Sequence, residues 1–262
     1  MPEGDTIHKI ANYLAPRLEG ATVQRREMAD AAGARRCRGR RIEQVFAHGK
    51  HLFIEFDNAL MLRSHLGMYG NWHRYALHER WRKPKWQASL RLDTGDQTYV
   101  CFNAKEVELV ATPSVRERLL SMRLGPDLVR PDASIADVIA RAREFLPASA
   151  PLADVLLDQR IAAGIGNVYK SEVLFIEGHL PETPQDQLDD AGLARAFELA
   201  ASLLRRNLGG GPRVTRFEQD AAGRLWVYGR RDLPCLRCDG IVRSRRFGAG
   251  TRATFWCPDC QH

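Results

Sequence analysis

The chain begins Met-Pro-Glu, and its second residue could act as a nucleophile. An initiator methionine before a small residue is usually removed, which would leave Pro2 with a free secondary amine. An α-amino group titrates at about pH 7.7 to 8.0, so a useful fraction is unprotonated at neutral pH and can attack a carbon such as the C1′ of a sugar. Glu3 could supply or remove the protons that this substitution needs. The alternative is that Pro2 only promotes removal of the methionine.

Four of the six cysteines have the spacing of a metal site. They are Cys235, Cys238, Cys257 and Cys260, which form two C-x2-C pairs separated by eighteen residues. Each pair presents two thiolates on one tight turn, and two such turns close a tetrahedral site for zinc. Two disulfides are the alternative, which an intracellular location disfavours because thiols stay reduced there. Since four Cys ligands leave no open position, the predicted Zn²⁺ is one structural ion that does not activate water.

Length and composition limit the class of protein. A chain of 262 residues is long enough for about two domains. Hydrophobic residues make up 44% and charged residues 27%, which is ordinary globular usage, and no apolar run approaches the roughly 20 residues of a membrane-spanning helix. Charged residues also interrupt the N-terminal segment, where a secretory signal would need an apolar run. We therefore predict a soluble protein of the cytoplasm.

The basic residues are unevenly distributed. Residues 1–130 hold 22 basic and 15 acidic residues (+7), residues 131–212 hold 7 and 12 (−5), and residues 213–262 hold 10 and 5 (+5). Of the 39 basic residues 33 are Arg and 6 are Lys, and a guanidinium binds two phosphate oxygens at once, which an ammonium does not. Two basic blocks indicate a polyanionic partner such as nucleic acid, with an ordinary solvated surface as the alternative.

The apolar periodicity predicts the elements that carry these residues. Residues 5–18 have helical spacing and predict a helix that opens the chain. Between about residues 41 and 110 the pattern changes to short β-rich runs typical of a sandwich or barrel. The predicted strands include 42–47, 51–57, 59–66, 88–93 and 97–103.

After residue 131 the period returns to that of helices. The pattern predicts helices over 135–146 and 188–208, with a helix begun by Pro151 and a second through 168–176 between them. Asn167 follows Gly-Ile-Gly at a predicted helix start, where unpaired backbone N–H groups and the positive dipole end can receive a phosphate. An ordinary helix cap is the alternative for Asn167.

The chain resembles the formamidopyrimidine-DNA glycosylase and endonuclease VIII family of base-excision repair enzymes. The matching segments are PEGDT at the start, GKHLF, SHLGMYG, RLGPDL, DQRIAAGIGNVYKSE and RATFWCPDCQH at the end, in family order. A four-Cys finger or a Gly-rich turn occurs widely, but the N-terminal PEG, the GIGN turn and the terminal finger together are specific.

The resemblance implies an α+β fold in three parts. Residues 1–130 would form a two-layer β-sandwich with an opening helix, residues 131–220 a helical helix-two-turns-helix domain, and residues 221–262 a four-Cys zinc-finger β-hairpin. Pro2 would be the Schiff-base nucleophile and Glu3 the proton donor for base release. Lys50 would assist β-elimination, and Arg252 would assist δ-elimination by holding the 3′ phosphate. Without the motifs, Lys50 and Arg252 would be ordinary surface charges.

The family motifs also imply a set of DNA contacts. Met68 and Tyr69 would fill the space left by a flipped nucleotide, with core packing as their alternative. His65 would contact a phosphate, unless it is a satisfied interior histidine, and Glu172 would orient the N-terminal amine. The full set of predicted DNA-binding residues is His65, Met68, Tyr69, Arg123 and Asn167.

The implied function is that of a bifunctional DNA glycosylase and abasic-site lyase. Its partner would be double-stranded DNA with oxidised bases or abasic sites, bound by a monomer. The opening PEG and the closing WCPDCQH resemble endonuclease VIII and imply oxidised pyrimidines as substrates. Leu66-Gly67-Met68 resembles the formamidopyrimidine branch, which takes oxidised purines. A non-catalytic zinc-bearing DNA-binding protein, which needs no free amine at Pro2, is the alternative from another class.

Overall fold

A computed structural model describes residues 1–28, 36–111, 123–248 and 250–262. The chain divides into two compact units, Met1–Met122 and Arg123–His262. The separate zinc-finger domain over residues 221–262 remains a prediction. No helix within the described residues is both long and apolar enough to cross a membrane.

The N-terminal unit is a two-layer β-sandwich with an opening helix, as the sequence predicts. Helix α1 (Gly4–Leu18) buries Ile7, Ala11, Leu14 and Leu18, the face that its apolar spacing defines. One antiparallel sheet has the order β2-β3-β4-β8, with β2 (Ile42–His48), β3 (His51–Phe56), β4 (Leu60–His65) and β8 (Glu106–Ala111).

The second sheet of this unit has the order β1-β6-β7-β5. Its strands are β1 (Arg25–Met28), β5 (Asn71–Ala76), β6 (Ala88–Thr94) and β7 (Gln97–Phe102). One apolar cluster joins α1 to both sheets, with Leu14, Ile54 and Leu92 among its fully buried members. The predicted strands 42–47, 51–57, 59–66, 88–93 and 97–103 correspond to β2, β3, β4, β6 and β7.

The second unit begins with helices around a second apolar core. They are α2 (Ile135–Phe145), α3 (Leu152–Leu157), α4 (Asn167–Glu177) and α5 (Asp190–Arg206). Ser134 and Asp189 cap α2 and α5 with their side chains, and Gly178 ends α4 in the left-handed conformation. The chain ends in an antiparallel hairpin, β9 (Arg243–Phe247) and β10 (Arg252–Trp256), flanked by the Cys pairs. These elements confirm the predicted α+β fold.

Candidate functional site

Several predicted site residues of the N-terminal unit lie at one end of its sandwich. We call this the hairpin end; it holds the Gly49-Lys50 turn, the 66–70 loop and the 103–105 loop. In the first sheet His51 pairs with His65, which pairs with Glu106. In the second sheet Phe102 pairs with both Asn71 and Ala88. The short loops 66–70 and 103–105 connect these paired strand ends, so Lys50, His65, Met68 and Tyr69 share the hairpin end.

Helix α1 brings the N-terminus to the same end. The amide of Gly20, just beyond α1, donates to the carbonyl of Ile42 at 2.8 Å, so α1 ends beside the start of β2. Since β2 runs from there to the Gly49-Lys50 turn, the start of α1 lies at the hairpin end. The groove lined by both Thr6 and Trp72 supports this direction, because Trp72 is close to the start of β5. Pro2 and Glu3 therefore lie at the hairpin end.

Glu3 is built into the start of α1. Its backbone carbonyl accepts from the amides of Thr6 and Ile7 at 3.0 and 3.1 Å, and the residue is fully buried. A buried carboxylate directly after Pro2 can exchange protons with groups that reach the amine without competition from bulk water.

The strands behind Lys50 carry a charged network that the sequence analysis did not identify. The guanidinium of Arg63, almost buried, donates to Glu108 at 2.7 Å and to Glu106 at 2.8 Å. It also donates to Nδ1 of His51 at 2.9 Å. Because a guanidinium only donates, Nδ1 of His51 must accept and its ring proton must lie on Nε2. This network fixes His51, the residue directly after Lys50.

The structure bears on the two alternatives predicted for His65, which are a phosphate contact and a satisfied interior histidine. It is half-buried, its ring lies 4.9 Å from that of His51, and its buried Nδ1 has no hydrogen-bond partner among the described residues. Burial lowers the pKa of His65, and nearby Lys105 and Lys50 act in the same direction against Glu106. A neutral ring whose Nδ1 has no hydrogen-bond partner among the described residues is unlike a satisfied interior histidine. The phosphate contact of His65 remains a prediction.

The neutral His51 should make the N-terminal unit sensitive to acid. Burial, followed by the charges of His65 and Arg63, lowers the pKa of His51 from 6.5 to about 3. Between these values the unfolded chain binds a proton that the folded chain does not, so stability falls as the pH is lowered, by up to about 1.4 kcal/mol per pH unit. We expect the free energy of unfolding to fall less between about pH 6.5 and 4.5 in His51→Gln than in the wild type, measured by urea denaturation.

The pH range separates this effect from that of Glu106. The Arg63 hydrogen bond lowers the pKa of Glu106 to about 2, so the stability that this carboxylate contributes is lost only below about pH 4.5. His262→Gln, at the exposed C-terminus, is the matched control and should keep the wild-type slope. Equal slopes in wild type and His51→Gln would show that His51 is not buried in its neutral form.

The 66–70 loop exposes its two large side chains. Met68 is 60% and Tyr69 77% exposed, which rules out core packing for both. A Cβ at Gly70 would lie 2.4 Å from the carbonyl oxygen of Leu66, and the Gly70 amide donates to that same oxygen at 3.0 Å. This glycine closes a tight turn that directs Met68 and Tyr69 away from the sheets, as a wedge requires.

In the C-terminal unit, Asn167 and the strand of Arg252 are in direct contact. Asn167 is the first residue of α4, and its Nδ2 donates to the carbonyl of Ala253 at 2.6 Å. Its Oδ1 accepts from Nζ of Lys170 at 2.7 Å, and the same ammonium donates to Oγ1 of Thr254 at 2.7 Å. Lys170 is 1% exposed. Asn167 is therefore more than a cap, because with Lys170 it joins α4 to the hairpin that carries the exposed Arg252.

Arg123 is the first described residue of this unit. It is exposed and adopts a left-handed backbone conformation with φ of 52°. Two residues later, the Gly125 amide donates to the carbonyl of Gln159 at 2.8 Å, and a Cβ at Gly125 would lie 2.3 Å from the carbonyl oxygen of Ile161. The turn after Arg123 thus packs against the segment before α4, and the guanidinium stays available to solvent.

Glu172 has a structural role within its own unit. Its two carboxylate oxygens accept from the amides of Trp226, Val227 and Tyr228 at 2.7 to 2.9 Å and from the hydroxyl of Thr215. Burial raises the pKa of this carboxyl, while the four donors favour the anion. Glu172 thereby anchors the segment that leads to the Cys pairs, and orientation of the N-terminal amine by Glu172 remains a prediction.

We expect Glu172→Gln to destabilise the C-terminal unit by about 3 kcal/mol. An amide in this position turns an NH₂ group toward backbone N–H donors and leaves buried donors unsatisfied. Glu177→Gln is the control on the same helix, because Glu177 makes one ion pair, to Arg195 at 4.0 Å. Differential scanning calorimetry should show a lower Tm for Glu172→Gln alone. A wild-type Tm would mean that the 226–228 segment does not depend on this carboxylate.

The four predicted Cys ligands form one cluster. The sulfur atoms of Cys235, Cys238, Cys257 and Cys260 all lie within 4.8 Å of one another. The Sγ atoms of Cys238 and Cys257 are 3.5 Å apart, and those of Cys235 and Cys260 are 3.9 Å apart. Disulfides need about 2.05 Å, whereas tetrahedral zinc with bonds of about 2.3 Å places its sulfurs about 3.8 Å apart. The cluster fits a metal ion and does not contain disulfides.

Comparisons with known proteins agree with this arrangement. A family model of the formamidopyrimidine-DNA glycosylase N-terminal domain matches residues 1–106, and a model of the formamidopyrimidine-DNA glycosylase H2TH domain matches residues 124–218. The chain is 38% identical to the probable endonuclease 8 2 of Streptomyces coelicolor, covering 100% of this chain and 94% of that protein. It is 35% identical to the DNA-(apurinic or apyrimidinic site) lyase Nei2 of Mycolicibacterium smegmatis, covering 100% and 99%.

Solved structures show the same fold. A Lactococcus lactis FPG mutant in complex with Fapy-dG containing DNA matches with a TM-score of 0.83 at 23% identity, over 100% of both chains. A structure of MutM in complex with carbocyclic 8-oxo-G containing DNA has the same TM-score, identity and coverage.

Proposed function

Because the chain belongs to the formamidopyrimidine-DNA glycosylase and endonuclease VIII family, we propose that it is a bifunctional DNA glycosylase and abasic-site lyase of base-excision repair. It removes oxidised bases from double-stranded DNA and cuts the strand by β,δ-elimination. The observation that carries this proposal is the hairpin end, where the exposed Met68-Tyr69 pair and Lys50 lie at the same end of the sandwich as Pro2 and the buried Glu3. It acts as a monomer in the cytoplasm, and its relatives in Streptomyces coelicolor and Mycolicibacterium smegmatis indicate a bacterial protein.

Base release begins at the N-terminal amine. A base inside a duplex shields its glycosidic carbon, so the nucleotide must flip out at a cost of a few kcal/mol. Met68 and Tyr69 enter the stack in its place, which their exposure and the tight Gly70 turn allow. The Pro2 nitrogen then forms a bond to C1′, the glycosidic bond breaks, and Glu3 supplies the proton to the departing base. The amine proton then passes to O4′, the C1′–O4′ bond breaks, and the opened sugar is left as an iminium between Pro2 and C1′.

Strand cleavage follows from the iminium. It acidifies the C2′ protons, and loss of one of them expels the 3′ phosphate in β-elimination, which Lys50 assists from the hairpin turn. Arg252 then assists δ-elimination of the 5′ phosphate, and the bond between Asn167 and the Ala253 carbonyl holds the hairpin that carries this guanidinium. Arg123, Asn167 and His65 contact phosphates. Hydrolysis of the iminium returns the free Pro2 amine.

The Cys cluster holds one Zn²⁺. Four thiolate ligands close the coordination sphere, so the ion supplies folding energy to the 221–262 segment and no chemistry. The spacing of the sulfur atoms supports zinc over disulfides. The Cys pairs flank the β9–β10 hairpin in the chain and Asn167 and Lys170 bind its strand β10, so both sets of residues support the position of Arg252.

Oxidised pyrimidines are the proposed substrate class. Relatives named endonuclease 8 at 30 to 38% identity over the full chain support this choice, as do PEG and WCPDCQH in the sequence. The Leu66-Gly67-Met68 segment favours oxidised purines as the second candidate.

Borohydride trapping on two duplexes tests both the nucleophile and the substrate. One duplex carries a single oxidised pyrimidine and the other 8-oxoguanine, and mass spectrometry maps the crosslinked peptide. We expect a crosslink at Pro2, mainly on the pyrimidine duplex. A crosslink mainly on 8-oxoguanine would assign the enzyme to the purine branch. No crosslink from protein that lacks Met1 and still binds DNA would favour the non-catalytic binding protein.

A further inference from the structure

The loop between β5 and β6 is a basic, aromatic segment that the proposed reaction does not use. Residues 77–87 read LHERWRKPKWQ, with four Lys or Arg, one Glu and two Trp. They line much of a groove of about 870 Å³ on the second sheet. We call residues 83–87 of this loop, Lys-Pro-Lys-Trp-Gln, the KPKWQ segment.

The KPKWQ segment lies at the hairpin end. Nζ of Lys83 donates to Oδ1 of Asn71 at 3.1 Å, and Asn71 directly follows the 66–70 loop. The amide of Asn103 donates to the carbonyl of Gln87 at 2.8 Å, which places the segment beside the 103–105 loop. It therefore borders the surface that carries Met68 and Tyr69.

Trp86 lies on an anchored turn and is exposed to solvent. The first half of the loop is anchored by Trp81, whose ring packs against Tyr75 and Phe102 at centroid distances of 6.2 and 5.7 Å. In contrast, Trp86 stands on a 3₁₀ turn (Lys85–Gln87) and is 81% exposed. The other tryptophans of the chain are half-buried. A large indole exposed on an anchored turn indicates a contact surface.

The charge around Trp86 is available to an anion. Glu79 accepts from the amide of Ala76, and Asp93 is bound by Arg91 and Thr98, so both acidic groups of the groove are occupied. Arg82 and Lys85 are exposed and form no ion pair within the part of the chain that the structure describes. Although the chain has only six lysines, Lys50, Lys83, Lys85 and Lys105 all belong to this end of the sandwich.

We propose that the KPKWQ segment is a second DNA-binding site, which takes a single-stranded stretch next to the lesion. Trp86 stacks on one unpaired base, and Lys85 contacts the flanking phosphate. In an intact duplex both faces of a base are covered by its neighbours, so an indole platform recognises an unpaired base. The site would extend the substrates to lesions in single-stranded or locally opened DNA. This inference rests on the proposed function only in taking DNA as the substrate.

Binding of undamaged oligothymidylate tests the site apart from catalysis. We expect Trp86→Ala to weaken binding of fluorescein-labelled dT12 about tenfold by anisotropy, and Trp86→Phe to restore most of it, because a phenyl ring still stacks. Tyr13→Ala is the matched control, since Tyr13 is an exposed aromatic residue on α1. Lys85→Gln should reduce the slope of log Kd against log salt concentration by about 0.7, the value for one phosphate on a single strand.

The outcomes separate this site from the proposed function. Trp86→Ala should still give the Pro2 crosslink on a lesion duplex. If the wild type gives no crosslink but binds dT12 through Trp86, the binding site stands and the catalytic proposal is wrong. Equal dT12 affinity in Trp86→Ala and Tyr13→Ala would overturn the site. The site would also be overturned if polyglutamate of equal charge displaced dT12 as effectively as unlabelled dT12 does. The surface would then select acidic chains in general.

Discussion

Glu3→Gln is expected to lose base release while keeping the reaction with preformed abasic sites. The glutamine fills the buried position of Glu3 but cannot donate the proton that the departing base needs, so release should fall on the order of 10² to 10⁴-fold. An abasic site has already lost its base, so the Pro2 amine can still attack C1′. Single-turnover assays on oxidised-pyrimidine and abasic duplexes, each with borohydride trapping, would measure the two steps separately.

Replacing Pro2 should impair both steps. Pro2→Leu puts a large residue after Met1, which retains the methionine and moves the only α-amino group by one residue, so we expect at least about a ten-thousandfold loss on both duplexes. Pro2→Gly leaves a primary amine and should react less than the secondary amine of proline. Both variants should bind DNA with a tetrahydrofuran site as the wild type does. Full base release by Pro2→Leu would exclude the amine mechanism, and full base release by Glu3→Gln would exclude Glu3 as the proton donor.

The residues that could be predicted from the sequence are those whose chemistry depends on local order. Pro2 and Glu3 need only the N-terminus and a helix start, and the Cys pairs need only two tight turns. The opening helix and strands β2, β3, β4, β6 and β7 also follow from local apolar periodicity. The predicted helix, strands and Cys cluster agree with the structure because few distant contacts are needed to define them, whereas the roles of Pro2 and Glu3 remain predictions.

The residues that the sequence analysis missed depend on tertiary packing. Lys170 lies on a helix at a position where lysine is ordinarily solvated, and only the approach of β10 buries it against Thr254. Arg63 follows three apolar residues in β4, and its role becomes visible only when β8 places Glu106 and Glu108 beside it. Strand β5, Asn-Trp-His-Arg-Tyr-Ala, lacks a continuous apolar face and is defined by its pairing with β7.

Removal of the metal should disorder the C-terminal hairpin and impair strand incision. A structural zinc contributes much of the folding energy of so small a module. The packing beneath it is thin: Cys235, Cys257, Val227 and Val242 form a small apolar cluster with Phe175 of α4. Without the ion the four thiolates lose their common ligand, and the hairpin that carries Arg252 loses one of its two supports. We therefore expect Cys257→Ala, or metal-free wild type, to lose δ-elimination on the order of a hundredfold.

The products of incision distinguish a disordered hairpin from a general loss of activity. Because the Pro2 amine belongs to the other unit, metal-free protein should still be trapped on preformed abasic DNA at high protein concentration, and its product should shift from β,δ to β-elimination. Arg252→Ala should show the same shift with zinc bound, whereas Arg246→Ala, on the neighbouring strand β9, should not. Restoration of β,δ product by added Zn²⁺ to the metal-free wild type, but not to Cys257→Ala, would locate the effect at the Cys cluster. Unchanged β,δ product from protein shown by elemental analysis to contain no metal would refute the structural role of the ion.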